Sequence, residues 1–122
     1  MLTMTDAIIY AMEMPGSIAT AFVEFKTARA VAGFGDESVN FDSMTPLWTE
    51  MLLAQLAHAD EYSGGESVND MVISSGERFH LLRPLRAKNY SDLYFYLVVD
   101  QRLGTIPMAR LRSSQMEERL IV

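Results

Sequence analysis

The sequence predicts an α+β domain in which helices and strands follow the order α-β-β-α-β-β-β-α. Residues 93–99 are apolar at every position, which is typical of a central strand covered on both faces. Residues 46–62 carry apolar side chains at helical spacing. Glycine and proline separate these two segments from shorter runs that are rich in β-branched and aromatic residues. Mixed signals of this kind indicate a sheet packed against helices.

Length and composition indicate one folded domain, 1–122. Apolar residues make up 49% of the chain and charged residues 21%, which is the balance of a globular protein. The absence of cysteine excludes disulfides, thiolate nucleophiles and thiolate metal sites. The amino terminus lacks the basic start of a secretory signal, and no apolar run approaches the roughly 20 residues of a membrane span. We therefore expect a cytoplasmic location without membrane insertion.

The charge of the chain is acidic overall and unevenly distributed. The net charge of −6 argues against nucleic acid as a partner, because binding to the phosphate backbone needs clustered basic residues. Residues 1–70 hold 2 basic and 11 acidic side chains, whereas residues 71–122 hold 8 basic and 5 acidic ones. Two interpretations remain open: two differently solvated faces, or an acidic and a basic surface that dock to other proteins.

The first elements are predicted to be a short helix and a β-hairpin. Residues 5–12 form the helix, which Thr5 caps and Pro15-Gly16 ends. Residues 18–26 form a strand buried mainly on one face, and residues 30–34 form a weak return strand that suits the edge of a sheet.

The long helix is predicted to run over 46–62, with Thr45 as its cap, Pro46 at its first position and Gly64-Gly65 at its end. Its apolar residues cover far more than the ~100° stripe that a one-sided helix needs. One side can face the sheet of its own chain, so the other side needs a second copy or another protein. The apolar residues of this helix are Leu47, Trp48, Met51, Leu52, Leu53, Ala54, Leu56, Ala57 and Ala59.

Three further strands and a helix complete the chain. The strands are predicted at 68–74, 78–85 and 92–99. Thr105 and Pro107 mark the start of a last helix over 108–120. The residues expected along the apolar face of that helix are Met108, Leu111, Gln115, Met116 and Leu120.

Several landmarks of this order resemble the roadblock family of dynein-light-chain-like domains. Met14-Pro15-Gly16 and the following strand 19–25 are similar to the opening of that family. The turn Ser75-Gly76-Glu77-Arg78 and the strand end Leu82-Arg83-Pro84-Leu85 stand in the family's order and spacing. Two features depart from it, since the return strand lacks the usual acidic-glycine turn and the loop 86–91 carries an extra Lys-Asn-Tyr.

The resemblance implies a five-stranded antiparallel sheet flanked by helices, related to profilin-like folds, with the long helix on one face and the terminal helices on the other. Family members pair through the long helix and the third strand, and they bind small Ras-like GTPases as regulators or scaffolds, or link motor-protein chains. We therefore predict a non-enzymatic homodimer that binds a small GTPase or a multiprotein complex. The predicted interface residues are Leu47, Trp48, Met51, Leu52, Leu53, Leu56, Val68 and Met71.

Catalytic signals are weak in this sequence. Gly64-Gly65 lacks the lysine of a phosphate-binding loop, and His58 and His80 have no partner at metal-ligand spacing. We expect His58 at a helix surface or interface, His80 facing solvent on a strand, and no cofactor, metal or catalytic residue. Two other classes stay open. One is a profilin-like domain that senses a small metabolite, and the other is an enzyme with a hidden site.

Overall fold

A computed structural model describes residues 1–62 and 67–120 of the chain. The elements follow the predicted order. They are α1 (Met4–Met12), β1 (Ser17–Glu24), β2 (Ala30–Gly35), α2 (Phe41–Tyr62), β3 (Met71–Ser75), β4 (Arg78–Pro84), β5 (Leu93–Asp100) and α3 (Ile106–Arg119).

The five strands form one antiparallel sheet in the order β2-β1-β5-β4-β3. Strand β5 is therefore central and β2 lies at an edge, as the sequence predicts. The register pairs Phe95 of β5 with Phe22 of β1, and Tyr96 of β5 with Leu82 of β4. Every residue from Leu93 to Val99 is buried, so β5 is covered on both faces.

The alternation of side chains along β5 divides the core into two layers. Phe95, Leu97 and Val99 pack with α1 and α3 on one face of the sheet. Tyr94 and Tyr96 pack with α2 on the other. This arrangement confirms the layering that the resemblance implies.

Strand β1 is buried on both faces, whereas the sequence predicted burial mainly on one. All residues from Ala19 to Val23 are buried, including Thr20 and Phe22 of the face expected to be polar. The reason is position, because β1 lies between β2 and β5 beneath both helical layers. The Thr20 hydroxyl is satisfied there by donating to the backbone carbonyl of Tyr96 at 3.1 Å.

The cap of α1 is Thr3, and the prediction of Thr5 is wrong. The Thr3 side chain accepts a hydrogen bond from the backbone N–H of Asp6, and the Asp6 side chain accepts one from the backbone N–H of Thr3. This reciprocal pair is a capping box, which satisfies two N–H groups that a helix start otherwise leaves unpaired.

Helix α2 begins at Phe41, more than a turn before the predicted start at Pro46. The backbone N–H of Ser43 donates to the Asn40 side chain at 3.3 Å, so Asn40 caps the helix in place of Thr45. Pro46 stands inside the helix. The Thr45 hydroxyl lies 2.7 Å from the carbonyl oxygen of Ala28 and 2.8 Å from that of Phe41, which ties the first turns of α2 to the β1–β2 turn.

The last helix and the third strand also differ from the prediction. Thr105 caps α3 as expected, but Met108 and Leu111 are exposed, and Ala109, Ser113 and Met116 form the buried face. Ala109 and Ser113 are small, which lets α3 pack close to the sheet and to α1, and Met116 fills the core beside them. Strand β3 begins at Met71, three residues after its predicted start.

The predicted end of α2 at Gly64-Gly65 lies outside the described residues. Among the residues described, no helix combines the length and apolarity that crossing a membrane requires.

The central position of β5 predicts its rate of amide hydrogen exchange. The edge strand β2 gives the comparison. The N–H of Asp36 donates to the Ile18 carbonyl, and hydrogen-bonded and non-hydrogen-bonded residues alternate along an antiparallel strand, so the N–H groups of Gly33 and Gly35 point away from β1. Amides of Leu93–Asp100 should exchange at least about a hundredfold more slowly than those of Gly33 and Gly35. Residue-resolved exchange measured by NMR checks this. Equal rates would contradict the strand order.

Candidate docking surface

The side of α2 that faces the sheet belongs to the core of its own chain. Thr45, Thr49, Leu52 and Ala59 are all buried there, and Leu56 is half-buried. Leu52 is fully buried, so it contacts its own sheet and is not available to a partner. The sequence showed that this helix is apolar on more than one side, and only the packing reveals that the side of Leu52 is the inner one.

Three ring side chains link α2 to the two strands beneath it. The indole Nε1 of Trp48 donates to the hydroxyl oxygen of Tyr96 at 3.0 Å. The same hydroxyl lies 2.7 Å from Nδ1 of His80. The His80 ring stacks on the Tyr96 ring at an interplanar angle of 9°, and its centroid lies 5.1 Å from that of Trp48. His80 is therefore buried, which corrects the prediction that it faces solvent.

The surroundings of His80 favour its neutral form. Trp48 can only donate, so the Tyr96 oxygen accepts and the Tyr96 proton is free to go to Nδ1 of His80. Burial lowers the pKa of His80, and the positive charge of Arg78 acts in the same direction. Burial also raises the pKa of Tyr96, so its hydroxyl keeps its proton. Sequence reasoning missed this network, although polar rings in an otherwise apolar strand were a signal for it.

The next residue of α2, Thr49, joins a further pair of buried hydroxyl groups. The Thr49 hydroxyl lies 2.7 Å from the Tyr94 hydroxyl and 2.7 Å from the carbonyl oxygen of Thr45. Burial raises the pKa of Tyr94 to about 12, against the opposing effect of its hydrogen bond to Thr49. These groups fasten α2 to the centre of the sheet by hydrogen bonds.

The outward side of α2 carries an apolar line that no residue in the described part of the chain covers. Leu47 is 54% exposed and Met51 40% exposed, and the helical spacing of about 100° per residue aligns them with Ala54 and His58. Both Ala54 and His58 are exposed. Glu50 and Glu61 are exposed and border this line on the side away from Trp48.

One flank of α2 faces the open edge of the sheet at β3. Trp48 lies on this flank, as its contact with His80 of β4 shows. Met71 and Ile73 of β3 pack against the same core but remain only partly buried. The half-buried Trp48 and the outer line of Leu47 and Met51 therefore continue onto β3.

The segment before β3 is held by arginines of other elements. The Arg86 guanidinium donates to the carbonyl oxygen of Val68 at 2.9 Å. The side chain of Arg110 in α3 pairs with Asp70 at 2.9 Å. Val68 is half-buried. These bonds position the edge strand that follows.

Leu53 lies apart from the other predicted interface residues. It is 46% exposed, but it stands about 160° around the helix axis from Met51, on the flank away from Trp48. The structure thus brings Leu47, Trp48, Met51, Val68 and Met71 to the β3 side. It places Leu52 inside the core and Leu53 on the other flank.

Other polar contacts in the described part of the chain fasten elements together. Arg83 of β4 pairs with Glu117 of α3 at 2.9 Å, and Glu117 also accepts from the backbone N–H of Ala87 at 3.1 Å. Hydrogen bonds from the Arg102 side chain lower the pKa of Asp100 to about 2. No group of three potential metal ligands occurs within residues 1–62 and 67–120.

Known proteins resemble this chain in fold but not detectably in sequence. No protein-family model matches the sequence. No curated protein matches it significantly.

Solved structures do match this architecture. The Roadblock/LC7 domain from Streptomyces avermitilis has a TM-score of 0.76 at 7% identity, over 92% of this chain and 89% of that one. MglB of Myxococcus xanthus has a TM-score of 0.76 at 13% identity, over 93% and 90%. An MglB structure described as having a tetrameric arrangement has a TM-score of 0.74 at 13% identity, over 93% and 82%.

Layers, strand order and the uncovered surface define an α+β sheet domain with two helices on one face and one on the other. The matched structures identify this architecture as the roadblock fold. The fold that the resemblance implied is therefore confirmed.

The buried His80 predicts how stability depends on pH. Because its pKa is lower in the folded protein than its value of 6.5 in an unfolded chain, the unfolded state binds more protons near and below that value. The contribution of His80 to the free energy of unfolding should therefore be constant above about pH 7.5. It should fall as the pH drops through 6.5 toward the lowered pKa of His80 in the folded protein. Urea unfolding at pH 7.5, 6.5 and 5.5 measures this dependence.

The variant His80→Asn removes this titration. It should lower stability at pH 7.5, because Tyr96 loses ring packing, and it should reduce the loss between pH 7.5 and 5.5. A slope that is the same in the original chain and in His80→Asn would contradict a neutral, buried His80.

Proposed function

We propose that this chain is a non-enzymatic docking module that forms a homodimer through α2 and β3 and binds a small Ras-like GTPase or a complex containing one. The observation that carries this proposal is the continuous uncovered surface formed by Leu47, Trp48 and Met51 on α2 and by Met71 at the open edge of β3.

Burial of this surface supplies a driving force. Complete burial of a side chain the size of leucine or methionine contributes about 1.5–3 kcal/mol relative to full exposure, and Leu47 and Met51 are about half exposed. A two-fold axis uses each side chain once per subunit, so the gain is doubled. Pairing of β3 with its copy would also satisfy the outward backbone groups of that edge.

The local charge favours a second copy as the occupant. The chain as a whole carries −6, so most surfaces would repel their own copy. Glu50 and Glu61 border the line of Leu47, Met51, Ala54 and His58 on the side away from Trp48, so two copies that meet on the Trp48 side avoid opposing these carboxylates. The tetrameric arrangement of one MglB structure lends support, because it is an assembly built on the same fold.

The GTPase partner rests on the resemblance to roadblock domains, whose members bind small Ras-like GTPases. The protein's own groups support docking over catalysis. The buried His80, Tyr96, Thr49 and Tyr94 pair with one another in the core and do not line an open cavity.

Three substitutions on α2 distinguish an effect on dimerisation from an effect on folding. Met51→Asp should dissociate the dimer and leave the subunit folded, since an unpaired charge would be buried once per subunit at the two-fold axis. Leu53→Asp is equally exposed but on the opposite flank, so it should leave the dimer intact. Leu52→Asp should unfold the subunit. Sedimentation measures the mass, and circular dichroism reports the fold.

Two results would contradict the proposed dimer. An unmodified protein that sediments as a monomer at tens of micromolar would overturn it. If Leu53→Asp dissociated the dimer and Met51→Asp did not, the interface would lie on the flank of Leu53 and the proposed position would be contradicted.

The GTPase proposal is tested with purified components. The tagged protein should retain a Ras-like GTPase from a native extract of its source, and the purified GTPase should rebind in either its GDP-loaded or its GTP-analogue-loaded form. The protein alone should not hydrolyse GTP, because its sequence lacks a phosphate-binding loop with its lysine. Recovery of a bound small molecule and no GTPase would favour the metabolite-sensing alternative.

A further inference from the structure

The edge of the sheet opposite β3 carries a second uncovered surface. A groove of about 580 Å³ runs between α1 and β2. Its lining is mostly apolar and consists of Thr5, Ile8, Ile9, Met12, Glu13, Ala32, Gly33 and Phe34. The strand order places this groove at the far end of the sheet from β3, so it stays open in the proposed dimer and does not depend on it.

The strand that borders the groove is open to pairing. Strand β2 reads Ala-Val-Ala-Gly-Phe-Gly, with none of the lysine, charge or proline that commonly protects a sheet edge. Gly33 and Gly35 direct their backbone N–H and C=O groups away from β1, as the register shows. Phe34 is 64% exposed and Val31 51% exposed. Backbone and side chains of β2 thus both lack cover.

The other wall of the groove is the outer side of α1. Ile9 is 55% exposed and stands between Asp6 and Glu13 at spacings of three and four residues, so the three share one stripe of the helix. Met12 and Ile8 continue the apolar wall toward the sheet. Together with Phe34, Ile9 forms an apolar slot that side chains of an added strand can enter.

The rim of this groove is acidic. Glu13 lines it, Asp6 flanks Ile9, and Asp36 and Glu37 follow directly on β2. A hydrogen bond from the backbone N–H of Ser38 lowers the pKa of Asp36, so this carboxylate is ionised at neutral pH. The basic residues of the same hairpin, Lys26 and Arg29, stand at its turn, at the other end of β2.

We propose that this groove binds an extended segment of a partner protein, which pairs with β2 as a further strand, inserts alternate apolar side chains between Ile9 and Phe34, and carries lysine or arginine at the intervening positions. Backbone pairing would supply the affinity and the apolar slot the register. The acidic rim selects a basic segment.

The same charges argue against a second copy at this edge. Two copies that paired through β2 about a two-fold axis would bring the stripe of α1 that carries Asp6 and Glu13 against the same stripe of the other copy. Like charges in such proximity disfavour the pairing.

The test uses an end-blocked eight-residue peptide of alternating valine and lysine, with a second peptide that has glutamate for each lysine. The lysine peptide should bind at least about tenfold more tightly than the glutamate peptide at low salt, and its affinity should fall as salt is added. Its binding should slow exchange of the Gly33 and Gly35 amides. Fluorescence anisotropy measures the affinity, and NMR locates the protected amides.

Phe34→Thr should weaken the lysine peptide by about tenfold or more, because the slot loses its aromatic wall. Leu103→Thr changes a residue that is 69% exposed elsewhere on the surface and should leave the affinity within about twofold. Equal effects of the two substitutions, or peptide binding without protection of Gly33 and Gly35, would overturn the proposal. The proposal would also be overturned if the β2 amides were already protected without peptide and Phe34→Thr halved the mass of the protein in solution. A second copy of the chain would then occupy the edge.

Discussion

Burial of β5 on both faces is the constraint on which the rest of this structure depends. A strand whose successive side chains are all apolar must have cover above and below the sheet, because exposing either row would lose the free energy of burying large side chains. Helices α1 and α3 therefore pack on Phe95, Leu97 and Val99, and α2 packs on Tyr94 and Tyr96. Both neighbours of β5 then lie beneath helices, which explains why β1 is also buried on both faces.

Three helices suffice for the middle of a five-stranded sheet and leave its margins uncovered. Each of the two edges consequently carries exposed apolar residues, but the chemistry of the two edges differs. Near β3, the exposed Leu47 and Met51 lie beside the half-buried Trp48, on the surface proposed to meet a copy of the same chain. Near β2, the acidic rim around Ile9 and Phe34 favours a basic partner. One fold thereby offers two surfaces of different specificity.

The hydrogen bonds beneath α2 add direction to this apolar packing. Hydrophobic contacts alone would allow a helix to slide or rotate on the sheet, whereas the bond from Trp48 to Tyr96 and the contact of Thr49 with Tyr94 fix one rotation. That rotation determines which apolar line faces outward. The polar rings of β4 and β5 are thus linked, through the orientation of α2, to the surface proposed for dimerisation.

Sequence alone determined the features that depend on a residue's near neighbours. The element order, the central β5, the weak edge strand β2 and the Thr105 cap all follow from local periodicity and local hydrogen-bonding chemistry. Tertiary structure alone decided that Asn40 starts α2 in place of Thr45, that His80 is buried and that Leu52 faces inward while Met51 faces outward. An apolar helix has no inner side until a sheet lies against it, and the position of that sheet depends on residues far away in the chain.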